Sequence, residues 1–345
     1  MAKKEGENAS LEAIAVEIEK SEKNEKQSKK RVQTVAELSG VGEATARKLE
    51  DAGYKTLELI AVSMPAELAE VAGIGEGTAI KVINSARQAL EMGYETGDKV
   101  LERRLLVDTI TTGSKELDNL LGGKGVQTQT ITEAYAKFSS GKTQLAFQLC
   151  VNVQLPRAAG GLEGSVLVVD TENTFRPERV AQMARAKGLD AEKVLKNIFV
   201  ARAWNSDHQM LLIDKAEDLI KQHNIKLIIV DSLMSAFRCD YIGRGTLSER
   251  QQKLNKHLHA LQRLADMHNI AVYITNQVMD RPDILFGDPT APVGGNILAH
   301  ISGYRLYLRR SKEDRRIAKL VDAPDLPDSE CVFRVTPEGI CDVDD

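Results

Sequence analysis

From residue 105 onward, the sequence alternates short apolar segments with amphipathic ones. The apolar segments predict strands at 128–132, 165–170, 198–202, 226–231, 271–277 and 304–309. Strands rich in Val, Ile and Leu that alternate with helices form mostly parallel sheets covered by helices on both faces. The sequence therefore predicts an α/β core over residues 108–345, with ligands bound at the C-terminal ends of the strands.

The longest predicted helix, 247–268, is recognised by its apolar stripe. The residues of this stripe are Leu247, Leu254, Leu258, Leu261, Leu264 and Ala265.

A phosphate-binding loop is indicated by "AKFSSGKT", residues 136–143, between a predicted strand and a predicted helix. Backbone N–H groups of such a loop cradle phosphates, Lys142 would reach the β- and γ-phosphates, and the Thr143 hydroxyl would bind Mg²⁺. A complete motif begins with glycine, where this chain has Ala136. The intact part is therefore the Gly-Lys-Thr in its strand–loop–helix context.

Three polar side chains follow other predicted strands. Asp231 ends "LIIVDS" and would be a second anchor for Mg²⁺ through water, or else would cap a turn. Glu172 could deprotonate an attacking water as a general base, or be an exposed loop glutamate. Gln277 could sense a γ-phosphate. Together with the loop, these residues predict a nucleotide site.

Residues 32–92 predict a small helical domain with an internal repeat. "LSGVGEATARKLEDAG" and "VAGIGEGTAIKVINSA" share a glycine turn before a helix, and Gly40 and Gly73 are 33 residues apart. The pattern resembles paired helix-hairpin-helix motifs, whose backbone N–H groups contact DNA phosphates. A helical domain that makes only protein contacts is the alternative.

Two segments beside this domain are predicted to lack a core of their own. Residues 1–31 hold 8 basic and 7 acidic side chains and predict a disordered tail, which is either solvated or contacts phosphate through residues 29–31. Residues 93–107 predict a polar linker. Its aromatic residue, Tyr94, would pack on its own domain or insert into a neighbouring subunit.

Composition restricts the classes of partner. The net charge of −4 argues against coating nucleic acid by bulk charge, but it is compatible with a local basic channel. With no signal peptide and no apolar run of 18 residues, we expect no membrane contact and a cytoplasmic, nucleoid-associated protein. Four scattered cysteines and six histidines predict no metal site made of protein ligands alone.

Taken together, these motifs resemble the archaeal RadA strand-exchange recombinases and their eukaryotic relatives over residues 33–341. The stretches that carry the resemblance are "GKTQ", "VNVQLP", "DTENTFRPER", "VDS", "RQQKLNKHLH", "ITNQVM", "RPD", "GDPTAPVGGNILAH" and "VDAPDLP". The resemblance implies a RecA-like P-loop ATPase core behind a helix-hairpin-helix domain. It also implies DNA-dependent ATP hydrolysis, filaments or rings on single-stranded DNA, pairing with double-stranded DNA, and accessory recombination proteins.

The resemblance assigns roles to residues. Glu172, Lys142 and Gln277 would be catalytic, and Thr143 and Asp231 would hold Mg²⁺. The ATP-binding residues would be Ala136, Lys137, Phe138, Ser139, Ser140, Gly141, Lys142, Thr143, Gln144 and Arg179, with Asp322 and Pro324 capping the nucleotide of a neighbouring subunit. The DNA-binding residues would be Arg238, Arg244, Arg250, Arg281, Gly294, Gly295 and Asn296. Tyr94 and Gly97 would dock onto the next subunit.

The phosphate loop departs from the family pattern, GEFGSGKT. Ala136 and Ser139 replace glycines, and Lys137 replaces an acid. The first glycine of the family pattern could require a positive φ, whereas Ser139 keeps its N–H available if its own φ is negative. We expect ATP binding and hydrolysis to persist. A catalytically weak paralogue that regulates the recombinase, or another RecA-fold motor such as a hexameric helicase, is the alternative.

Overall fold

The structure, a computed structural model, describes residues 34–90, 92–280 and 290–343. It divides into two compact units, with the boundary between Leu106 and Val107. The predicted tail, 1–31, and Arg281 lie outside the described residues. No helix in the described ranges is long and apolar enough to cross a membrane.

The N-terminal unit is a small helical domain built from two similar halves. A 3-10 helix, Val35–Glu37, precedes helices α1 (Glu43–Asp51), α2 (Leu57–Ala61), α3 (Pro65–Ala72) and α4 (Glu76–Ala89). Gly40 and Gly73 adopt φ of +80° and +59°, which a side chain would disfavour. Two residues later, Gly42 and Gly75 cap α1 and α4. The internal repeat is therefore present as two glycine turns, each followed by a helix.

The predicted linker contains a further helix, α5 (Gly97–Leu105), with no buried side chain. Thr96 is its N-cap, and Glu95 pairs with Arg103 at 2.8 Å. Tyr94, directly before this helix, is fully exposed. Its ring therefore does not pack on its own domain, which was the first of the two alternatives that the sequence left open for this residue.

The core unit is a nine-stranded, mostly parallel sheet, as the sequence predicts. Its strands lie in the order β13, β12, β11, β10, β3, β7, β6, β4, β5. The parallel part contains β3 (Thr130–Tyr135), β4 (Ser165–Asp170), β5 (Ile198–Arg202), β6 (Ile225–Asp231), β7 (Ala271–Asn276) and β10 (Tyr304–Arg310). An antiparallel extension that the sequence did not predict adds β11 (Arg315–Asp322), β12 (Ser329–Thr336) and β13 (Gly339–Asp342).

Helices cover both faces of this sheet. Residues of α6 (Lys115–Leu120), α7 (Lys142–Asn152), α8 (Pro177–Ala186) and α9 (Ala191–Lys196) form one apolar layer. The other layer uses α10 (Ser206–Asp214), α11 (Ala216–His223), α12 (Leu233–Asp240), α13 (Leu247–His268) and α14 (Asn296–Ile301). The predicted stripe of α13 is buried except for Leu247, the first residue of the helix, which is 45% exposed.

Short elements connect the main strands. Strands β1 (Thr109–Ile110) and β2 (Val126–Gln127) form one antiparallel pair, and β8 (Val278–Asp280) and β9 (Thr290–Pro292) form another. One-turn 3-10 helices lie at Arg157–Ala159 and Arg244–Thr246. The β8–β9 pair holds residues 278–280 and 290–292 side by side, shortly before the predicted DNA residues Gly294, Gly295 and Asn296.

A buried ion pair joins the central strands. Arg305 Nε on β10 donates to Glu133 Oε2 on β3 at 2.7 Å, and Asn276 Nδ2 on β7 donates to Glu133 Oε1 at 2.8 Å. Burial raises the pKa of Glu133, while the Arg305 charge and these hydrogen bonds oppose that shift. The same Asn276 amide donates to the carbonyl of Val293 at 2.6 Å and so attaches the chain after β9 to the sheet.

The turn after α7 leaves no room for a side chain at Gly161. A Cβ there would lie 2.1 Å from the carbonyl oxygen of Leu155 and 2.6 Å from that of Asn152. Because both atoms are backbone, Gly161→Ala should force the turn apart and lower the Tm of the core by about 4 °C or more in thermal unfolding followed by circular dichroism. Gly245→Ala is the control, since nothing lies within 4 Å of that position. Equal Tm values for the two variants would contradict this packing.

Candidate nucleotide and DNA site

The C-terminal ends of the parallel strands open into a pocket of about 820 Å³. Most of the predicted nucleotide residues are brought together there. Its lining residues are Ala136, Lys137, Phe138, Ser139, Ser140, Gly141, Lys142, Thr143, Gln144, Glu172, Thr174, Asp231, Ser232, Gln277, Val278, Arg316 and Val335.

The loop between β3 and α7 binds the Lys142 side chain through its backbone carbonyl groups. Lys142 Nζ donates to the carbonyl oxygens of Ala136 at 3.0 Å and Lys137 at 3.2 Å, and Ser140 Oγ donates to the latter oxygen at 2.9 Å. Gly141, with φ of +103°, caps the first turn of α7. Burial lowers the pKa of Lys142, while Asp231 and Glu172 oppose that shift. The ammonium therefore stands at the helix N-terminus, where a phosphate is stabilised by N–H groups and dipole together.

Ala136 and Ser139, which replace glycines of the family pattern, differ in backbone conformation. Ala136 is buried and is not among the described residues with positive φ, so alanine fits there without strain. Ser139 has φ of +59°, whereas the prediction that its N–H stays available assumed a negative φ. The family glycine at position 139 is therefore explained by a left-handed turn, and the expected strain lies at Ser139 rather than at Ala136.

The carboxylate of Asp231 fixes the pocket floor. Thr143 Oγ1 donates to its Oδ2 at 2.8 Å, and the hydroxyl of Thr275, the penultimate residue of β7, donates to its Oδ1. Burial raises the pKa of Asp231, and the two hydroxyl hydrogen bonds oppose that shift. The carboxylate therefore lies at the buried end of β6 and is hydrogen-bonded to side chains from two other elements.

Glu172 also lines this pocket, and its side chain is exposed there. Its Oε1 accepts hydrogen bonds from Ser232 Oγ at 2.6 Å and from Gln277 Nε2 at 2.7 Å. Asp170, which sequence reasoning did not single out, holds the loop that carries Glu172. Its carboxylate accepts from the backbone N–H groups of Glu172, Thr174 and Phe175 at 3.0–3.1 Å.

Three predicted nucleotide residues do not line the pocket of their own chain. The guanidinium of Arg179 donates to Gln144 Oε1 at 2.8 Å and to the carbonyl oxygens of Thr336 and Pro337 at 2.6 Å. It thus supports the β12–β13 hairpin. Asp322 and Pro324 are exposed at and after the end of β11.

Arg316 lies over the phosphate loop and was missed by sequence reasoning. Its Cγ would be 3.6 Å from a Cβ added at Gly141, and its Nε is buried without a hydrogen-bond partner among the described residues. The signal would have been a basic residue on the antiparallel extension, but that extension was not predicted. Arg316 adds a positive charge to the side of the pocket facing Gly141.

Several predicted DNA residues lie next to this pocket. Arg238, in the last turn of α12, donates from Nη1 to Gln277 Oε1 at 2.8 Å. Arg250 is on α13, and the neighbouring Gln251 donates to the carbonyl of Gly294 at 3.2 Å. Gly294 and Gly295 have positive φ, and Asn296 begins α14. Arg244 begins a 3-10 helix, but its side chain and all of Arg281 are outside the described structure.

The strain at Ser139 predicts a stabilising substitution. Ser139→Gly should raise the free energy of unfolding of the core by about 1 kcal/mol, because glycine adopts positive φ without a Cβ contact. Ala136→Gly is the matched control and should not stabilise, since it only adds chain freedom in the unfolded state. Urea unfolding of both variants measures the difference. Stabilisation by Ala136→Gly but not by Ser139→Gly would show that the strain lies at position 136 and not at position 139.

Comparisons with known proteins agree with this geometry. Residues 102–343 match the family model described as Rad51, and residues 32–88 match that of a SAM-like helix-hairpin-helix tandem. The DNA repair and recombination protein RadA of Aeropyrum pernix is 51% identical over 314 residues, which cover 91% of this chain and 98% of that protein. The chain therefore belongs to the RadA/Rad51 family of DNA strand-exchange recombinases.

Proposed function

We propose that the pocket binds ATP with Mg²⁺ and that the chain assembles on single-stranded DNA, where ATP hydrolysis supports pairing and strand exchange with a homologous duplex. The convergence of Lys142, Thr143, Asp231 and Glu172 on one pocket is the observation that carries the proposal. These residues are the ones that phosphoryl transfer requires: a phosphate-binding cation, a metal anchor and a base.

The residues around Asp231 fit Mg²⁺. Thr143 Oγ1 and the Asp231 carboxylate are hard oxygen donors 2.8 Å apart. Mg²⁺ is commonly held by one or two protein oxygens together with phosphate oxygens and water. Bound there, the ion would neutralise charge on the phosphates. The phosphates themselves would lie along the N–H groups of residues 139–143, with Lys142 exchanging its carbonyl partners for phosphate oxygens.

Glu172 would act as the general base. It is exposed to the pocket, and Ser232 and Gln277 occupy Oε1, which leaves Oε2 available to accept the proton of an attacking water. Asp170 restrains the backbone on both sides of Glu172. The retention of this base favours an active ATPase over the regulatory paralogue.

DNA would lie along the surface formed by α12, the start of α13 and the segment before α14. Arg238 and Arg250 supply positive charge there, and the exposed backbone at Gly295 is open to a phosphate, whereas Gly294 is buried. Binding of this kind is independent of sequence and weakens with salt. The glycine turns before α1 and α4 of the N-terminal unit are a second phosphate-binding surface, suited to duplex DNA.

Glu172→Gln should retain ATP and DNA binding and lower the hydrolysis rate by about 10² or more, because an amide accepts the same hydrogen bonds but no proton. Phosphate release in the presence of single-stranded DNA measures the rate. Glu178→Gln, an exposed position outside the pocket, should hydrolyse ATP normally. Undiminished hydrolysis by Glu172→Gln would remove this residue from the mechanism.

Assembly would join Tyr94 of one subunit to the sheet edge of the next. Strand β5 ends the described sheet, and exposed edge strands pair readily with another chain. Apolar side chains are exposed on this edge, on the segment that follows it and on α10: Val200 (45%), Trp204 (73%) and Leu211 (46%). Gly97 begins α5 and sets the position of Tyr94 relative to that helix. Asp322 and Pro324, exposed on each subunit, would then cover the nucleotide of a neighbour.

Tyr94→Ala should reduce the assembly to small oligomers or monomers, because an interface aromatic commonly contributes about 2 kcal/mol and the loss recurs at every junction. Light scattering and electron microscopy measure the assembly. Met92→Ala, an exposed apolar position two residues away, serves as the control, and Tyr94→Phe should retain assembly. Long filaments formed by Tyr94→Ala would show that Tyr94 is not the docking residue.

A further inference from the structure

Arg316 reaches the nucleotide pocket from the antiparallel extension of the sheet. It lies near the start of β11, and the alternation of side chains along a strand places it on the same face as Ala318 and Leu320. Both of these residues are buried in the apolar layer to which α7 contributes. Arg316 is therefore on the face of the sheet that α7 covers, next to the phosphate loop where that helix begins.

The aliphatic part of the Arg316 side chain lies close to Gly141. A Cβ added at Gly141 would be 3.6 Å from Arg316 Cγ and 3.7 Å from Val335 Cγ2. The N–H of Val335 donates to the carbonyl of Asp314 at 2.9 Å, so that the start of β11 and the end of β12 meet beside the loop. Arg316 is thus held on a fixed backbone, near the N–H groups that a phosphate would use.

Arg316 and the nearby Arg334 differ in the acceptors of their hydrogen bonds. Arg334 donates to the carboxylate of Asp314 from Nε at 2.9 Å and from Nη2 at 2.7 Å. Arg316 donates from Nη1 to the backbone carbonyls of Glu313 at 3.4 Å and Arg315 at 2.8 Å. Its Nε is buried without a hydrogen-bond partner among the described residues. Because an unpaired buried donor is destabilising, this guanidinium lacks an acceptor that a bound anion would supply.

A second arginine stands opposite Arg316 on the neighbouring strand. Arg310 of β10 is its direct partner in the antiparallel register of β10 and β11. Like charges directly opposite each other in a sheet are destabilising. Burial lowers the pKa of Arg316, and the charge of Arg310 lowers it further, while Asp314 opposes that shift. An anion bound at this end of the two strands would offset the repulsion and also supply the missing acceptor.

The order of the strands indicates which part of a nucleotide would lie near Arg316. Glu172, the proposed base, follows β4 on one side of β3, and β11 is on the other side of β3. The phosphate loop follows β3 and therefore lies between them. A phosphate attacked by water at Glu172 would point toward β4. The phosphates that stay with the nucleoside would then point toward β11 and Arg316.

We propose that Arg316 binds the phosphates that stay with the nucleoside and so contributes equally to the binding of ATP and ADP. A guanidinium suits this role because it stays charged and its planar fork matches phosphate oxygens. Binding of ATP and of the transition state would be strengthened by the same amount, so Arg316 sets nucleotide affinity and not the rate of hydrolysis. The inference rests on the proposal that this pocket binds ATP.

Arg316→Gln should raise the Kd for ADP and the KM for ATP by about tenfold, the effect of losing a hydrogen bond to a charged group, and should leave kcat unchanged. Calorimetric titration with ADP measures the Kd, and phosphate release in the presence of single-stranded DNA measures KM and kcat. Arg316→Lys keeps the charge but not the fork and should bind ADP more tightly than Arg316→Gln. Arg315→Gln, which changes the exposed neighbour on the same strand, is the matched control and should bind ADP normally.

Thermal unfolding without nucleotide separates nucleotide binding from a structural role of Arg316. Because the substitution removes the repulsion from Arg310, Arg316→Gln should have a Tm equal to or above that of the natural protein, and ADP should raise its Tm by less. Unchanged ADP affinity of Arg316→Gln, a lower Tm without nucleotide, or a tenfold fall in kcat would each overturn the inference. A natural protein that binds neither ADP nor ATP would instead contradict the proposed function.

Discussion

The buried carboxylate of Asp231 is the constraint on which the rest of the site depends. A buried charge is strongly destabilising unless hydrogen bonds compensate it, and the compensating groups here come from two other elements. Thr143 brings the first turn of α7, with its phosphate loop, against the end of β6, and Thr275 brings β7. These hydrogen bonds therefore fix the position of the predicted phosphate loop relative to the sheet, in the pocket that Glu172 also lines.

A second buried charge connects the interior of the sheet with the predicted DNA surface. Glu133 is held by Arg305 of β10 and Asn276 of β7, and Asn276 also binds the carbonyl of Val293. Gln277 directly follows Asn276. The end of β7 and the residue after it thus bring Thr275 to Asp231, Asn276 to the buried ion pair, and Gln277 to Glu172 and Arg238. Three consecutive residues connect the pocket floor, the sheet interior and the predicted DNA surface.

Much of this arrangement could be predicted because parallel strands are nearly all apolar and the polar residues at their ends stand out. Asp231, Glu172 and Gln277 each follow such a run. The antiparallel strands β11–β13 were missed because their sequence alternates and carries many charges, and Arg316 was missed with them. The positive φ of Ser139 could not be predicted from residue types, because the left-handed turn depends on the hydrogen bonds between Lys142 and the carbonyl groups of the loop. Contacts between distant segments, such as that of Arg238 with Gln277, have no sequence signature.

If DNA and nucleotide act together in one recombinase, the natural protein should carry out strand exchange that depends on ATP. Fluorescence energy transfer between the strands of a labelled duplex follows the transfer of one strand to a homologous single strand. We expect transfer that requires Mg²⁺ and ATP and is absent with a non-homologous duplex. Nucleotide hydrolysis without any homologous transfer, or transfer that is independent of ATP, would contradict it.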